Sequence, residues 1–197
     1  MSNIIITGGP GSGKSTLLEA LSGKGHSCVP EVSRQLIREQ VLMESNCLPW
    51  KDLACFAKLS LDKMIFDHES VNQQDINFFD RGIPDIIAYL KVGGLRVSSV
   101  YYKAAEKFSY ANPVFIAPPW EKIYVNDDER WQTFEEACVL YEIIASVYTD
   151  LGYRMIELPC ATILERVDSV MRILKEGNFD TSSEEHISGF TLPSTKS

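Results

Sequence analysis

Short, wholly apolar runs alternate along this chain with longer stretches whose apolar residues recur every three or four positions. Residues 3–7 form the first such run, and nothing in Ile4-Ile5-Ile6 alternates with polar residues, as expected of a strand covered on both faces. His26–Pro30, Asp75–Asp80, Pro113–Ala117 and Tyr153–Leu158 predict four further strands. Between them, helical spacing predicts helices over about Lys14–Leu21, from Glu31 onward, and over Lys51–Glu69, Pro84–Val92 and Ser98–Tyr110. Two more start at capping boxes, Thr133-Phe134-Glu135-Glu136 and Thr162 with Glu165, and end near Gly152 and Lys175. Ser22-Gly23 is a stop signal for the first helix. In the second, Val32, Leu36 and Met43 make an apolar face, while Glu31, Arg34 and Arg38 at i, i+3 and i+7 share another. The helix after Thr133 gathers Phe134, Ala137, Cys138, Tyr141, Ile144, Ala145 and Tyr148 on one side.

An alternation of strand and helix implies an α/β domain: a parallel sheet with helices on both faces, three layers in all. Right-handed crossovers then carry the loops at the carboxyl ends of the strands to one rim of the sheet. The pattern makes one domain of residues 1–175 and leaves 176–197, polar and aperiodic, as a loosely held tail. Residues 118–132 are rich in charge and turn formers, and a loop of that length inside a compact domain is more often functional than filler.

Composition narrows the partners. A formal net charge of −8 argues against nucleic acid and against an anionic membrane surface, both of which need a basic patch. No apolar run approaches the ~18 residues of a membrane span. Five cysteines without C-x-x-C spacing argue against a disulfide framework and for a reducing cytoplasm, and three scattered histidines suggest no metal cluster.

The chemistry begins directly after the first strand. Gly8-Gly9-Pro10-Gly11-Ser12-Gly13-Lys14-Ser15-Thr16 fits G-x-x-x-x-G-K-[ST] at every fixed position, between a predicted strand and a predicted helix. Glycines let the backbone turn its N–H groups toward phosphate oxygens, and the helix that follows adds the positive end of its dipole. Lys14 is placed to reach the β- and γ-phosphates, and the Ser15 hydroxyl to ligate Mg²⁺. The expected ligand is a nucleoside triphosphate, with Mg²⁺ and ATP as the pair.

Three strand ends deliver candidate partners to the same rim. Asp80 closes an apolar strand and suits Mg²⁺, although a turn or helix cap would also use a carboxylate there. Arg81 is placed to bridge phosphate oxygens, or else to make a surface ion pair, for instance with Asp85. Glu31 is a candidate base for an acceptor hydroxyl, its plainer reading being a first-turn acid that complements the helix dipole. Arg34 and Arg38 suit an acceptor that bears phosphate or carboxylate, or else form a solvated face paired with Glu31. Within the long loop, Arg130 is the candidate lid arginine and Lys122 a weaker one, while Trp120 and Trp131 either stack on a base or sugar or simply pack.

Taken together, GGPGSGKSTLL, VPEVSRQLIREQ, FFDRGIPD, PPWEKIYVNDDERWQTFEEAC and LGYRMIELP resemble the AAA-type ATPase/kinase domains over about residues 3–175. The ribosylnicotinamide kinase domain of bifunctional NAD regulators is similar to these. The resemblance implies a five-stranded, kinase-like P-loop NTPase fold with the Asp80 strand beside the first. A broader resemblance to deoxynucleoside kinases implies Glu31 as base and Asp80-Arg81 as the pair that handles magnesium and phosphates. The chain departs from AAA+ motors, because only 37 residues follow Cys160 and a helical lid domain has no room. Guanine-specific N-K-x-D is absent, and Ile83 stands where D-x-x-G needs glycine. Leu21-Ser22-Gly23, directly after the first helix, is misplaced for a transporter signature. The expected function is transfer of the ATP γ-phosphoryl group to a hydroxyl of a nucleoside-like or vitamin-like small molecule. The alternative is a regulatory ATPase with no acceptor. A scaffold without turnover sits badly with intact Lys14, Ser15 and Asp80.

Overall fold

The structure is a computed structural model that describes residues 3–123 and 133–176. Five parallel strands form its sheet: β1 (Asn3–Gly8), β2 (Ser27–Val29), β3 (Asn77–Asp80), β4 (Val114–Ala117) and β5 (Met155–Glu157), in the order β2-β3-β1-β4-β5. The helices are α1 (Lys14–Gly23), α2 (Val32–Leu42), α3 (Leu53–Ser70), α4 (Ile83–Val92), α5 (Ser99–Lys107), α6 (Phe134–Asp150) and α7 (Ile163–Lys175). Each predicted element is found with ends shifted by a few residues, and the Asp80 strand does lie beside β1, with Ile6 in register with Asp80.

Each strand residue chooses a face by the two-residue period of the pleat. Ile4, Ile6, Phe78 and Phe115 pack under α1 and α7; Ile5, Phe79, Val114 and Ile116 pack against the helices of the other face. The central strand β1 is buried at every position, which is why its sequence shows no alternation. Both predicted capping boxes are formed, Thr133 with Glu136 and Thr162 with Glu165. The buried face of α6 uses Ala137, Ile144 and Tyr148 as expected, together with Leu140 and Val147. Met43 does not join Val32 and Leu36. It is the C-cap of α2, one residue past the helix, and lies exposed.

A second departure concerns the thiols. Cys47 and Cys55 are joined in a disulfide, while Cys28, Cys138 and Cys160 remain free. Spacing gave no sign of it, because the pairing depends on a turn: Lys51 N and Asp52 N both donate to Leu48 O, and this brings the two Cα atoms to 5.2 Å. A bonded pair removes the ground on which a reducing compartment was expected. Closing a loop of this length should stabilise the fold by about 2 kcal/mol through the unfolded chain. Urea melts with and without dithiothreitol should differ by that amount, and the difference should vanish in the Cys47→Ser/Cys55→Ser variant. Coincident melts of the native chain would mean that the bond does not form in solution.

Candidate active site at the carboxyl rim of the sheet

β1 ends at Gly8 and α1 starts at Lys14, so the connection must turn tightly. Gly8 has φ +136°, and a Cβ there would collide with the Ala117 carbonyl on β4. Gly13, at φ +81°, is the N-cap of α1, where glycine alone adopts a left-handed backbone without cost. No side chain caps α1 and its first turn holds no carboxylate, so the helix start offers its N–H groups and its dipole to an anion. Lys14 lies buried across this loop, with Nζ donating to Gly9 O (2.8 Å) and to Ser12 Oγ (3.3 Å). Burial, and then the Arg81 charge, lower its ammonium to about 8 against the pull of Asp80, Glu31 and Asp85.

Asp80 is buried at the end of β3 with Oδ1 bound to no partner, and burial, against the pull of Lys14 and Arg81, raises its carboxyl to about 6. A buried acceptor left without a donor fits a cation such as Mg²⁺, which takes one or two carboxylates together with substrate phosphates. No group of three or more His, Cys, Asp or Glu side chains able to hold a metal occurs among the described residues, so an all-protein cage is not the alternative. Asp80 does not line the open cavity.

Arg81 is no surface ion pair. It is buried, has φ +72°, and places Nε 3.2 Å from Glu31 Oε1, Nη1 3.9 Å from Asp85 Oδ1 and 2.8 Å from Tyr89 OH. A bulky residue held at positive φ is a strained feature that the surroundings must enforce. Next to it, Asp85 accepts from Thr7 Oγ1 (2.5 Å), Gly82 N (2.9 Å) and Tyr148 OH (2.6 Å) and so ties β1, α4 and α6 together. Glu31 is the N-cap residue of α2. Its carboxylate accepts from Ser33 Oγ (2.5 Å) and Arg34 Nε (3.3 Å) and faces Arg81. Burial acts to raise this carboxyl, but Arg81, Lys14, Ser33 and Arg34 outweigh it and hold it at about 2.

One cavity of about 1240 Å³ joins these parts. The loop from Pro10 to Thr16 lines it, and so do Glu31, Arg34, Arg38 and Arg81. Gly8 and Gly9 stand behind that lining, and the Gly9 carbonyl is taken by Lys14 and Ser12. Trp120 lines it too and stacks on a side chain, its ring 5.1 Å from the Arg166 guanidinium. Lys122 is exposed on a 3-10 turn, Glu121–Ile123. Arg130 and Trp131 lie outside the described residues, as does the tail beyond residue 176.

Two residues hold the site together: Arg166, which sequence reasoning passed over, and Asp85, which it named only as a partner for Arg81. Arg166 on α7 is fully buried and donates Nη1 to Ser12 O (2.7 Å) and Nε to Pro159 O (2.8 Å), bracing the Gly-rich loop against the segment after β5. Its signal was present: Ile163, Arg166 and Val170 share one helical face, so a cation interrupts an apolar stripe. Asp85 carried no such signal, since a first-turn carboxylate is ordinary at that position.

An AAA domain family profile matches residues 3–166. The chain belongs to that family. No curated protein matches it. Among solved structures, this AAA domain is similar to thymidylate kinase from Candida albicans, at a TM-score of 0.61 and 16% identity over 92% of this chain and 96% of that one. It is also similar to deoxyadenosine kinase from M. mycoides with bound dATP (TM-score 0.58, 18% identity, 89% and 100% covered). The NadR protein in complex with NAD and AMP-PNP gives 0.64 at 15% identity over 97% of this chain but only 52% of that one, so the AAA domain spans about half of NadR. At these identities the likeness is one of fold, the five-stranded P-loop kinase fold. No helix among the described residues is long and apolar enough to cross a membrane.

Proposed function

We propose that this AAA domain transfers the γ-phosphoryl group of MgATP to a hydroxyl of a small-molecule acceptor. The observation that carries the reading is a single cavity with a phosphate cradle on one wall and the Glu31–Arg81 pair on another. A cradle that served hydrolysis alone would have no need of a cavity that extends beyond the Gly-rich loop to Arg38, Trp50 and Phe56. The kinase fold of its structural neighbours supports the same reading.

In this proposal the amides of Gly11–Ser15 and Lys14 bind the β- and γ-phosphates, and Ser15 with Asp80 holds Mg²⁺. When bound, that ion neutralises charge on the phosphate oxygens. Arg81, fixed by Asp85 and Tyr89, stabilises the transferring group. Phosphoryl transfer proceeds through a loose transition state in which the acceptor's proton leaves late. A carboxylate held near 2 is a weak base, so Glu31 acts mainly by accepting the hydrogen bond that orients the hydroxyl, and takes the proton as transfer completes. Arg130 remains the proposed lid cation.

The test is ATP consumption with Mg²⁺, alone and with nucleosides, phosphorylated nucleosides and vitamin-like alcohols, with products read by mass spectrometry. Strong stimulation by one compound, with its phosphorylated form as product, is the expected result. Slow hydrolysis that no compound alters would favour the regulatory ATPase.

A further inference from the structure

Among the described residues lining the cavity, six side chains are cationic (Lys14, Arg34, Arg38, Lys51, Arg81 and Arg166) against two carboxylates, Glu31 and Asp85. This excess stands out in a chain whose net charge is −8. Both carboxylates are already engaged by Arg81, and Glu31 by Arg34 as well. Lys14 and Arg166 belong to the Gly-rich loop and its brace. That leaves Arg38 and Lys51, exposed at the cavity and, like Lys14 and Arg166, without an ion-pair partner among the described residues, but with no side-chain hydrogen bond to the protein to occupy them either.

Their placement is specific. Arg38 follows Glu31 by seven residues on α2, about 10 Å along the axis. Lys51 reaches the same cavity from the turn before α3, where the Cys47–Cys55 disulfide and the two hydrogen bonds to Leu48 O pin its backbone. The wall near these cations is apolar: Ile37, Leu53, Phe56 and Met64. The lining of one cavity therefore combines the Glu31 carboxylate, an apolar wall and two cations without an ion-pair partner among the described residues.

We propose that the acceptor carries an anionic group, a phosphate or a carboxylate, apart from the hydroxyl that is phosphorylated, and that Arg38 and Lys51 bind it. The inference rests on the kinase reading for the role of the hydroxyl, but the anion subsite can be tested without turnover. A pair of charge-assisted hydrogen bonds to one anion gives at least a tenfold preference over a neutral analogue.

The first measurement is the anomalous map of crystals soaked in tungstate. It should show one anion at the Gly-rich loop and a second between Arg38 and Lys51, and the Arg38→Gln/Lys51→Gln variant should lose only the second. A wild-type map without that second peak overturns the proposal. The second measurement is calorimetric titration of the protein loaded with Mg²⁺ and a non-hydrolysable ATP analogue. The probes are matched pairs: thymidine 3′-monophosphate against thymidine for phosphate, and pantothenate against its amide for carboxylate. At least one anionic member should bind tenfold or more tighter than its neutral partner, and the double variant should erase the difference. Equal binding within both pairs overturns the proposal. Should none of the four bind, the tungstate map decides. Tight binding of an anionic member with no phosphorylated product would leave the subsite standing and remove the kinase reading. Product formed equally from both members of a pair would do the reverse.

Discussion

Lys14→Met should cost at least about 10²-fold in turnover, the typical loss when one pre-organised donor to a developing anion is removed. It should weaken ATP binding as well, and yet make the unliganded protein more stable at neutral pH. The opposite signs share one cause. Nζ is buried, and the fold lowers its ammonium from 10.5 to about 8 because two protein acceptors do not replace the water it has lost. A cation whose folded value lies below its unfolded one is penalised wherever it is charged in both states. The penalty is therefore full below about 8, and stability recovers as pH rises from about 8 to 10.5. The shift corresponds to at most about 3 kcal/mol, and losing the bonds to Gly9 and Ser12 returns about 1 kcal/mol for each. Thermal melts of the unliganded variant at pH 7 should run one to a few degrees above those of the native chain, with the gap closing toward pH 10. ATP should raise the melting temperature of the native chain far more than that of the variant. A variant that melted lower without ligand would mean that Lys14 is a structural residue and not a charge held ready for phosphate.

Legibility in the sequence followed the range of the interactions. Strands, caps and the Gly-rich loop are local, so Ile4-Ile5-Ile6, the two capping boxes and Gly8–Thr16 were readable at once. The rim could be deduced as well, because handed crossovers bring Glu31, Arg81 and the loop together whatever their separation. What escaped depends on contacts distant in sequence. Asp85 meets Thr7 and Tyr148 across 78 and 63 residues, Arg166 meets Ser12 across 154, and Cys47 finds Cys55 only through a turn. Of these, only Arg166 leaves a periodic trace, as a cation within an apolar helical stripe, and that trace does not name its partner. Of the two readings of Arg81, the ion pair with Asp85 is present but buried, not on the surface, because an arginine beside a turn glycine looks exposed until Glu31 and Tyr89 close over it.

Glu31→Gln should lower kcat by about 10²-fold or more while leaving MgATP affinity nearly unchanged, because the bonds of Glu31 go to Ser33, Arg34 and Arg81 and it acts on the Gly-rich loop only through the charge of Lys14. The amide keeps the size of the side chain but presents a donor toward Arg81, and so it loses both the orientation of the hydroxyl and the late proton acceptor. The folded carboxylate sits at about 2, below its ordinary 4.5. Its contribution to stability is thus complete above about 4.5 and disappears as pH falls toward 2. At pH 7 the variant should be less stable by up to about 3 kcal/mol, so the rates must be compared well below its melting temperature. The two carboxylates separate by pH. Glu31 is ionised throughout the working range and contributes no acid limb, whereas burial raises Asp80 to about 6 and makes Mg²⁺ compete with a proton there. In the native chain kcat/KM at limiting Mg²⁺ should fall below about pH 6, an acid limb that saturating Mg²⁺ shifts downward. The residual activity of Glu31→Gln should keep that limb in place, since the residue that causes it is untouched. A limb that vanished with Glu31 would assign the titration to the wrong carboxylate. Normal turnover in Glu31→Gln would take the acceptor hydroxyl away from the start of α2 altogether.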